Sequence, residues 1–477
     1  MKKVGVVVFM LMLVSAGNVW ASGIAIPEQG AAAMGMSAAV TARSEDLSAI
    51  FYNPAGIDYV EGNEVFIGLT PIMPSHTFEN GGNSIDAESQ IFLPPQLYAA
   101  RRMNDSVVLG IGVFAPFGLG TDWDKEWNGR YASTYGEIQT LYVNPTLAVK
   151  LSEQVSFGFG LSYIYSKANI ERMVDTGLAL YGASGNNAAL APNIASTTFD
   201  SNFALEGTGS GFGFNVGALV KPTEKLQVGV SYRGASNIKY KGTAKFTHNE
   251  AAIKAIPGMG TTLYNNVAAL MPAKQDGQAT IHLPWMLNLG IKYDITDVWD
   301  VSADFDYVGW EKYDSLVLDF SDDKPYKMKI EEKAWENTPV YRLGTSYDVG
   351  ESLVLRGGIM FDQSPVPDST IDGQLPDSDR TGVSIGIGYK LGMIQIDASY
   401  LYLSFDAREK DNLVGYSDVT NDVAYGDTYN TSQVVTTADQ ATLDGALALQ
   451  GRGKYPVGNG DYESSANLFA LSLSYKF

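Results

Sequence analysis

From about residue 60 onward the chain repeats one pattern, a two-residue alternation broken by turn residues, and this period constrains its fold more than any other feature. Between Val155 and Tyr163 the odd positions are Val155, Phe157, Phe159, Leu161 and Tyr163. The even positions are Ser156, Gly158, Gly160 and Ser162. Successive side chains of a strand point to opposite faces, so such a segment has one apolar face and one small or polar face. The same division recurs in 212–220, 226–232, 287–293, 301–307 and 383–389.

A soluble β-sandwich and a membrane barrel both produce alternation. The sandwich buries its apolar face in a core, whereas the barrel turns it toward lipid. Strands of about 10 residues or longer suit a tilted crossing of the hydrocarbon layer. Tyr and Phe gather near strand ends, as interfacial girdles require. Tight turns at 150–153, 221–225, 294–297 and 390–393 alternate with long connections, such as about 174–205, 247–276 and 411–462. Short turns at one end and long loops at the other are the layout of an outer-membrane barrel. Segments beginning near 64, 91, 105, 138, 154, 206, 225, 278, 298, 326, 352, 380, 393 and 463 total roughly 14, an even number as closure needs. The expected fold is an all-β transmembrane chain, a 14-stranded antiparallel barrel over 61–477. The last strand alternates cleanly and stops on Phe477, the aromatic terminus associated with the barrel assembly machinery.

The N-terminus has the layout of a secretory signal over 1–21, with Lys2 and Lys3 before an apolar run from Val4 to Val14 and cleavage expected after Ala21. That run is too short to span as a helix. The chain has no Cys, so its stability must come from packing or from a closed hydrogen-bonded sheet. The expected location is the cell outer membrane of a Gram-negative bacterium, with outer-membrane lipid around the wall. The net charge of −20 argues against a nucleic-acid partner, which needs clustered Lys and Arg. No cofactor and no metal are expected.

Residues 22–60 do not alternate. Gly30-Ala-Ala-Ala33, Gly35 and Ser37-Ala-Ala39 form a small-residue stretch of helical character. A lumen this wide leaks unless plugged, so the segment is expected inside the barrel as a helical hatch. Residues 251–271 carry Ile253, Ile256, Leu263, Val267, Leu270 and Met271 in an irregular amphipathic pattern, and 177–192 is similarly rich in Ala and Leu. Exposed apolar surface on such loops marks a binding site or a partner, unless the helices pack only on each other.

Several short stretches then align in order with a known family. They are Asn53-Pro54-Ala55, Pro116-Phe117-Gly118, Asn144-Pro145, Ser156-Phe157-Gly158 with Ile170-Glu171-Arg172, Gly211-Phe212-Gly213 and Leu283-Pro284. Ser364-Pro-Val-Pro367 and Leu375-Pro-Asp-Ser-Asp-Arg380 complete the set. The chain resembles the long-chain fatty acid and hydrocarbon outer-membrane transporters of the FadL/TodX type over nearly its whole mature length. The resemblance implies passive uptake of a hydrophobic small-molecule ligand, most simply a long-chain fatty acid, captured in an apolar groove between outer loops. It further implies a hatch gate at Asn53, Pro54 and Ala55. Release would be sideways, through a gap at a kink falling on Pro116, Phe117 and Gly118. Pro lacks a ladder donor and Gly weakens a strand, which suits an interruption. A neutral aromatic or alkane cargo, or a structural or adhesive barrel, is the alternative.

In fatty-acid members a pair of basic residues holds the carboxylate. Arg172 matches the first through its Ile-Glu-Arg context, and its fork suits a carboxylate. The second position falls on Glu331, with Lys329 and Lys333 two residues to either side and so on its face. Lys167 is a further candidate. Enzyme readings fare poorly. Gly382-Val-Ser384-Ile-Gly386 fits a nucleophile elbow, but alternation runs straight through it to Tyr389. Gly209-Ser-Gly211-Phe-Gly213 has no following helix. The only histidines, His76, His248 and His282, are scattered. The chain is expected not to be an enzyme.

Overall fold

A computed structural model of the chain describes residues 23–177, 180, 197–320, 328–412 and 458–477. The expected signal segment 1–21, nearly all of 177–192 and most of the 411–462 connection lie outside the described residues.

The wall is a closed antiparallel barrel of 14 strands. Its first half comprises β1 (Asn63–Leu69 with Ile72–Asn80), β2 (Asn83–Asp86 with Pro95–Asn104), β3 (Val107–Phe114 with Gly118–Asp122), β4 (Tyr135–Lys150), β5 (Val155–Val174), β6 (Ser201–Thr223) and β7 (Leu226–Arg233 with Ser236–Thr247). The second half comprises β8 (Gln275–Leu283 with Trp285–Thr296), β9 (Trp299–Gly309 with Ser315–Phe320), β10 (Met328–Glu332 with Thr338–Val349), β11 (Leu353–Asp362), β12 (Arg380–Leu391), β13 (Ile394–Phe405 with Arg408–Lys410) and β14 (Gly460–Lys476). Each strand pairs with its sequence neighbours. Closure comes from β1 on β14, with Val65 opposite Tyr475 and Leu69 opposite Leu471.

Two strands differ from expectation. β2 begins at Asn83 rather than near 91, and β6 at Ser201 rather than near 206. Both added lengths lie beyond the apolar band, where the strand no longer needs an apolar outer face and alternation fades.

The alternation resolves as expected of a membrane wall. Phe157, Phe159, Leu161 and Tyr163 point outward and are exposed, while Ser156, Ser162 and Gly158 point inward. The inner face carries charge in pairs, as burial requires. Arg342 meets Asp306 at 2.7 Å, Arg356 meets Asp397 at 2.7 Å and Arg380 meets Asp362 at 2.8 Å.

Residues 23–60 fill the lumen. They include the short helices α1 (Ala31–Met34) and α2 (Ala49–Tyr52) and a 3-10 turn, Pro54–Tyr59. Their hydrogen bonds reach strands on all sides. Thr41 N donates to Asp304 Oδ2 of β9 at 2.8 Å, Ser37 N to Ser384 Oγ of β12 at 2.9 Å and Gly30 N to Gln96 Oε1 of β2 at 2.8 Å. In return, Arg233 of β7 donates to Phe51 O at 3.0 Å and Asn215 of β6 to Ile50 O at 3.1 Å. Arg43 binds Asp300 and Ser302 of β9.

Small inner-face residues make room for this segment. A methyl at Gly158 would strike the backbone of Pro54 and Ala55, one at Gly217 would strike Asn53, and one at Gly229 would strike Thr41. The inward glycines therefore form seats that no side chain could share.

The 251–271 connection forms α3 (Glu250–Lys254) and α4 (Gly260–Leu270). Ile253, Ile256, Leu263, Val267 and Met271 are buried in the same apolar cluster as inward residues of the upper barrel. Their apolar face is therefore packed down onto the mouth rather than displayed to a partner, because the lumen below offers apolar side chains to cover it.

Candidate functional site

The wall is interrupted at Ala115-Pro116-Phe117. Below the break, Val107–Phe114 of β3 pairs with Pro95–Asn104 of β2. Above it, Gly118–Asp122 pairs with β4, and the upper part of β2 pairs with β1. Among the described residues no ladder joins upper β2 to upper β3, and the two meet again where Glu88 N donates to Asp122 O at 2.8 Å. Pro94 and Pro95 on the β2 side and Pro116 on the β3 side have no N–H to offer a neighbour, which explains why pairing lapses here.

The groups freed by the break are satisfied from within. Residues 24–26 lie antiparallel to the break, Ala25 opposite Phe117. Ile26 N donates to Pro116 O at 2.8 Å and Gly118 N to Ile24 O at 3.0 Å. Phe117 N donates to Thr140 Oγ1 at 3.2 Å, and that hydroxyl donates to Phe117 O at 2.6 Å. The Phe117 ring turns inward, edge-on to Trp310 at 6.2 Å. Backbone that leaves a ladder must be paired elsewhere, and the lumen segment supplies the partner.

A cavity of about 400 Å³ runs through this window. Its inner end is lined by Ala25, Glu28, Arg380 and Leu403, its middle by Phe92, Phe117 and Ile138, and its outer end by Leu93, Leu141, Tyr165 and Lys167. Glu28, His76, Asp377 and Arg380 were not singled out as a site from the sequence. The Leu375-Pro-Asp-Ser-Asp-Arg380 motif was the signal for the last two.

The basic candidates do not converge on one point. Lys167 lies on the outward face of β5, paired with Glu206 at 3.8 Å, whereas Arg172 lies on the inward face, because five residues along a strand reverse the direction. Arg172 is buried against Phe203, and its Nη1 is 3.9 Å from Glu331 Oε1. Lys333 Nζ is 3.7 Å from Glu331 Oε2 and 3.1 Å from Asp372 Oδ2. Burial opposes the charge on Lys333, but Asp372 and then Glu331 outweigh it and hold its pKa above the ordinary lysine value. Two cations thus face two carboxylates. Lys329 is placed in β10 by its backbone. Beneath this cluster Ala168, Ile170, Leu205, Tyr240, Leu316 and Leu318 line an apolar void of about 30 Å³. Asp372 is far from the cluster in sequence and nothing local announced it.

Asn53, Pro54 and Ala55 sit at the seat described above. Asn53 Nδ2 donates to Thr41 O at 2.8 Å and to Ala218 O of β6 at 3.0 Å, while its Oδ1 accepts from Ala55 N at 3.2 Å. The Asn53-Pro54-Ala55 and Ser156-Phe157-Gly158 stretches therefore meet in space. Two Ser–His pairs also appear that the sequence did not suggest, Ser201 Oγ with His248 Nδ1 at 2.7 Å and Ser464 Oγ with His76 Nδ1 at 2.8 Å. Ser201 is fully buried, and His248 Nε2 is tied to Met271 O, so this pair fastens loop to strand.

Residues 12–477 match the model of the family described as outer membrane protein transport protein (OMPP1/FadL/TodX). The chain belongs to this family. A long-chain fatty acid transport protein of Escherichia coli is 26% identical over 80% of this chain and 87% of its own length. A 47 kDa outer membrane protein of Pasteurella multocida is 29% identical over 80% and 85%. Among solved structures, a FadL homologue from Pseudomonas aeruginosa superposes with a TM-score of 0.74 at 19% identity, covering 96% of this chain and all of that one. The Pseudomonas putida toluene transporter TodX gives 0.62 at 16%, covering 96% and 99%. The protein is thus an outer-membrane β-barrel of a family of passive transporters of hydrophobic molecules.

Proposed function

We propose that this FadL/TodX-type barrel carries long-chain fatty acids or similarly apolar molecules into the outer membrane, releasing them sideways at Ala115-Pro116-Phe117. The observation that carries this reading is the through-wall cavity, whose lining is mainly apolar and which opens between the unpaired upper segments of β2 and β3. An apolar solute leaving there enters hydrocarbon directly and never pays the cost of crossing water. Residues 24–26 occupy the inner side of the window, so their withdrawal is the opening step in this reading, with Asn53, Pro54 and Ala55 anchoring the rest of the hatch.

The test is growth on oleate in a Gram-negative host lacking its own fatty-acid outer-membrane transporter, with barrel insertion checked by heat-modifiable mobility. Restored growth that is lost in Arg172→Ala supports fatty-acid uptake through the interior cluster. Correctly inserted protein that fails to restore growth overturns the fatty-acid reading.

Glu331 favours a second reading, a neutral hydrocarbon cargo. A ligand carboxylate approaching Arg172 has to compete with Glu331, whereas a neutral molecule does not. At about 4 Å a charge pair contributes roughly 1 kcal/mol in water and about 4 kcal/mol near a protein surface. Glu331→Gln is therefore expected to tighten binding of a fluorescent fatty acid by roughly 10-fold or more and to leave toluene binding unchanged. Equal affinities for the fatty acid in both proteins would remove Glu331 from the specificity argument.

A further inference from the structure

Above the apolar band, the outer wall carries a basic patch in a chain that is otherwise strongly acidic. The upper segment of β7 turns Lys239, Lys241 and Lys245 outward, all exposed. Among the described residues none of the three takes part in an ion pair, whereas Lys167 on β5 already has Glu206. Lys239 and Lys241 have neutral hydrogen-bonding residues directly opposite them, whereas Lys245 faces Ala204, and Glu206 and Asp276 flank Thr243 between Lys241 and Lys245. Lys239 lies between Ser210 of β6 and Thr280 of β8, and Lys241 between Thr208 and Gln278. Directly paired residues stand about 5 Å apart at Cβ, so two ammonium groups share a cradle with hydroxyls and an amide.

The height of this cradle on the wall decides what it meets. Phe212 is 77% exposed and packs edge-on to Tyr163 at 5.6 Å, and the aromatic row continues through Phe214, Tyr232, Trp285 and Tyr307. That row is the upper interfacial girdle. Ser210, the partner of Lys239, is the next outward residue above Phe212 on β6. The lysines therefore stand at the level of lipid headgroups, on the side of the long loops. Unpaired lysines at that level are attracted to anionic headgroups, and hydroxyl and amide donors complete the shell of a phosphate oxygen.

We infer that the β6–β8 wall binds the phosphate of a phosphorylated glycolipid of the outer leaflet, with Lys239 and Lys241 as its principal contacts and Lys245 supporting them. The site is on the lipid-facing surface and is separate from the transport path through the lumen. Its consequence is a specific lipid held next to the β5 side of the lateral window, where Lys167 lines the outer end of the cavity.

The experiment uses the full mature chain purified in dodecyl maltoside, titrated with bisphosphorylated lipid A and, separately, with enzymatically dephosphorylated lipid A. Thermal unfolding and native mass spectrometry are the readouts. The wild-type protein is expected to gain stability and retain bound lipid only with the phosphorylated form. A Lys239→Gln/Lys241→Gln/Lys245→Gln variant should bind roughly 100-fold more weakly, about fivefold per lysine near an anionic surface. The same charge change at the opposite end, Lys150→Gln/Lys221→Gln/Lys225→Gln, should leave binding as in the wild type. Equal binding of the dephosphorylated lipid, or full binding by the β7 variant, overturns the proposal. So does equal loss in both triple variants, which would reduce the effect to net charge. Lys239, Lys241 and Lys245 are exposed and Lys150, Lys221 and Lys225 stand at the short-turn rim, so the unliganded melting temperature reports whether either variant is misfolded.

Discussion

Cysteines placed at Ala25 and Phe117 are expected to cross-link on oxidation, and uptake of an apolar substrate should then fall to background until a reductant is added. The two residues are antiparallel partners flanked by the Ile26–Pro116 and Gly118–Ile24 hydrogen bonds, a non-hydrogen-bonded pair in ladder terms. Such pairs hold their Cα atoms about 4.5 Å apart, within the span a disulfide bridges. The chain has no Cys of its own, so the bond has no competitor. Losing the Phe117 ring opens space beside Tyr142 and Trp310, but the reduced form of the same variant carries that change too. The comparison therefore isolates the motion of residues 24–26. Unchanged uptake by the fully oxidised protein would show that this segment need not leave the window, and the sideways path would lose its gate.

The second large effect is expected at Gly158. Gly158→Val raises the β-propensity of β5, so the strand itself should form at least as well as before. The added side chain nevertheless occupies the place of the Pro54 and Ala55 backbone. The barrel should assemble and show normal heat-modifiable mobility while its lumen segment fails to seat. The measurable outcome is entry of small polar antibiotics that the wild-type barrel excludes, in cells expressing equal amounts of each protein. A variant that stays tight would mean that the 3-10 turn can move aside without unplugging the lumen. Val at Gly357, on the outward face of β11 with only distant neighbours, is the control for adding valine to a wall strand without touching the lumen segment. It should change nothing of comparable size.

Much of the architecture was legible because membrane strands announce themselves with a rigid period of two. One slip of register would turn Phe157, Phe159 and Leu161 into the lumen and Gly158 toward lipid, so the pattern determines face, span and strand count together. The break at Pro116 was legible for a similar reason, since proline removes a ladder donor wherever it stands. The lumen segment was readable only as a stretch of small residues. Its bonding to Asp304, Ser384 and Gln96 depends on strands hundreds of residues away that carry no local mark of the partnership.

The candidate site divides along the same line. Arg172 could be named from its local context and from the family resemblance, but the charge facing it could not be weighed. Asp372, which pairs with Lys333 at 3.1 Å, comes from the connection between β11 and β12 and enters the cluster only when the barrel closes. Lys167 and Arg172 lie five residues apart on β5, so the period of two sets one outward and the other toward the lumen, but not what each one meets there. The amino-acid sequence by itself determined a closed wall with an apolar outer face, its approximate strands and the place where pairing lapses, because these follow from local period and backbone chemistry. Which residues fill the window, which carboxylates balance the interior cations and which lysines stand together above the girdle were decided only by closure, since curling fourteen strands into a barrel is what brings distant positions into contact.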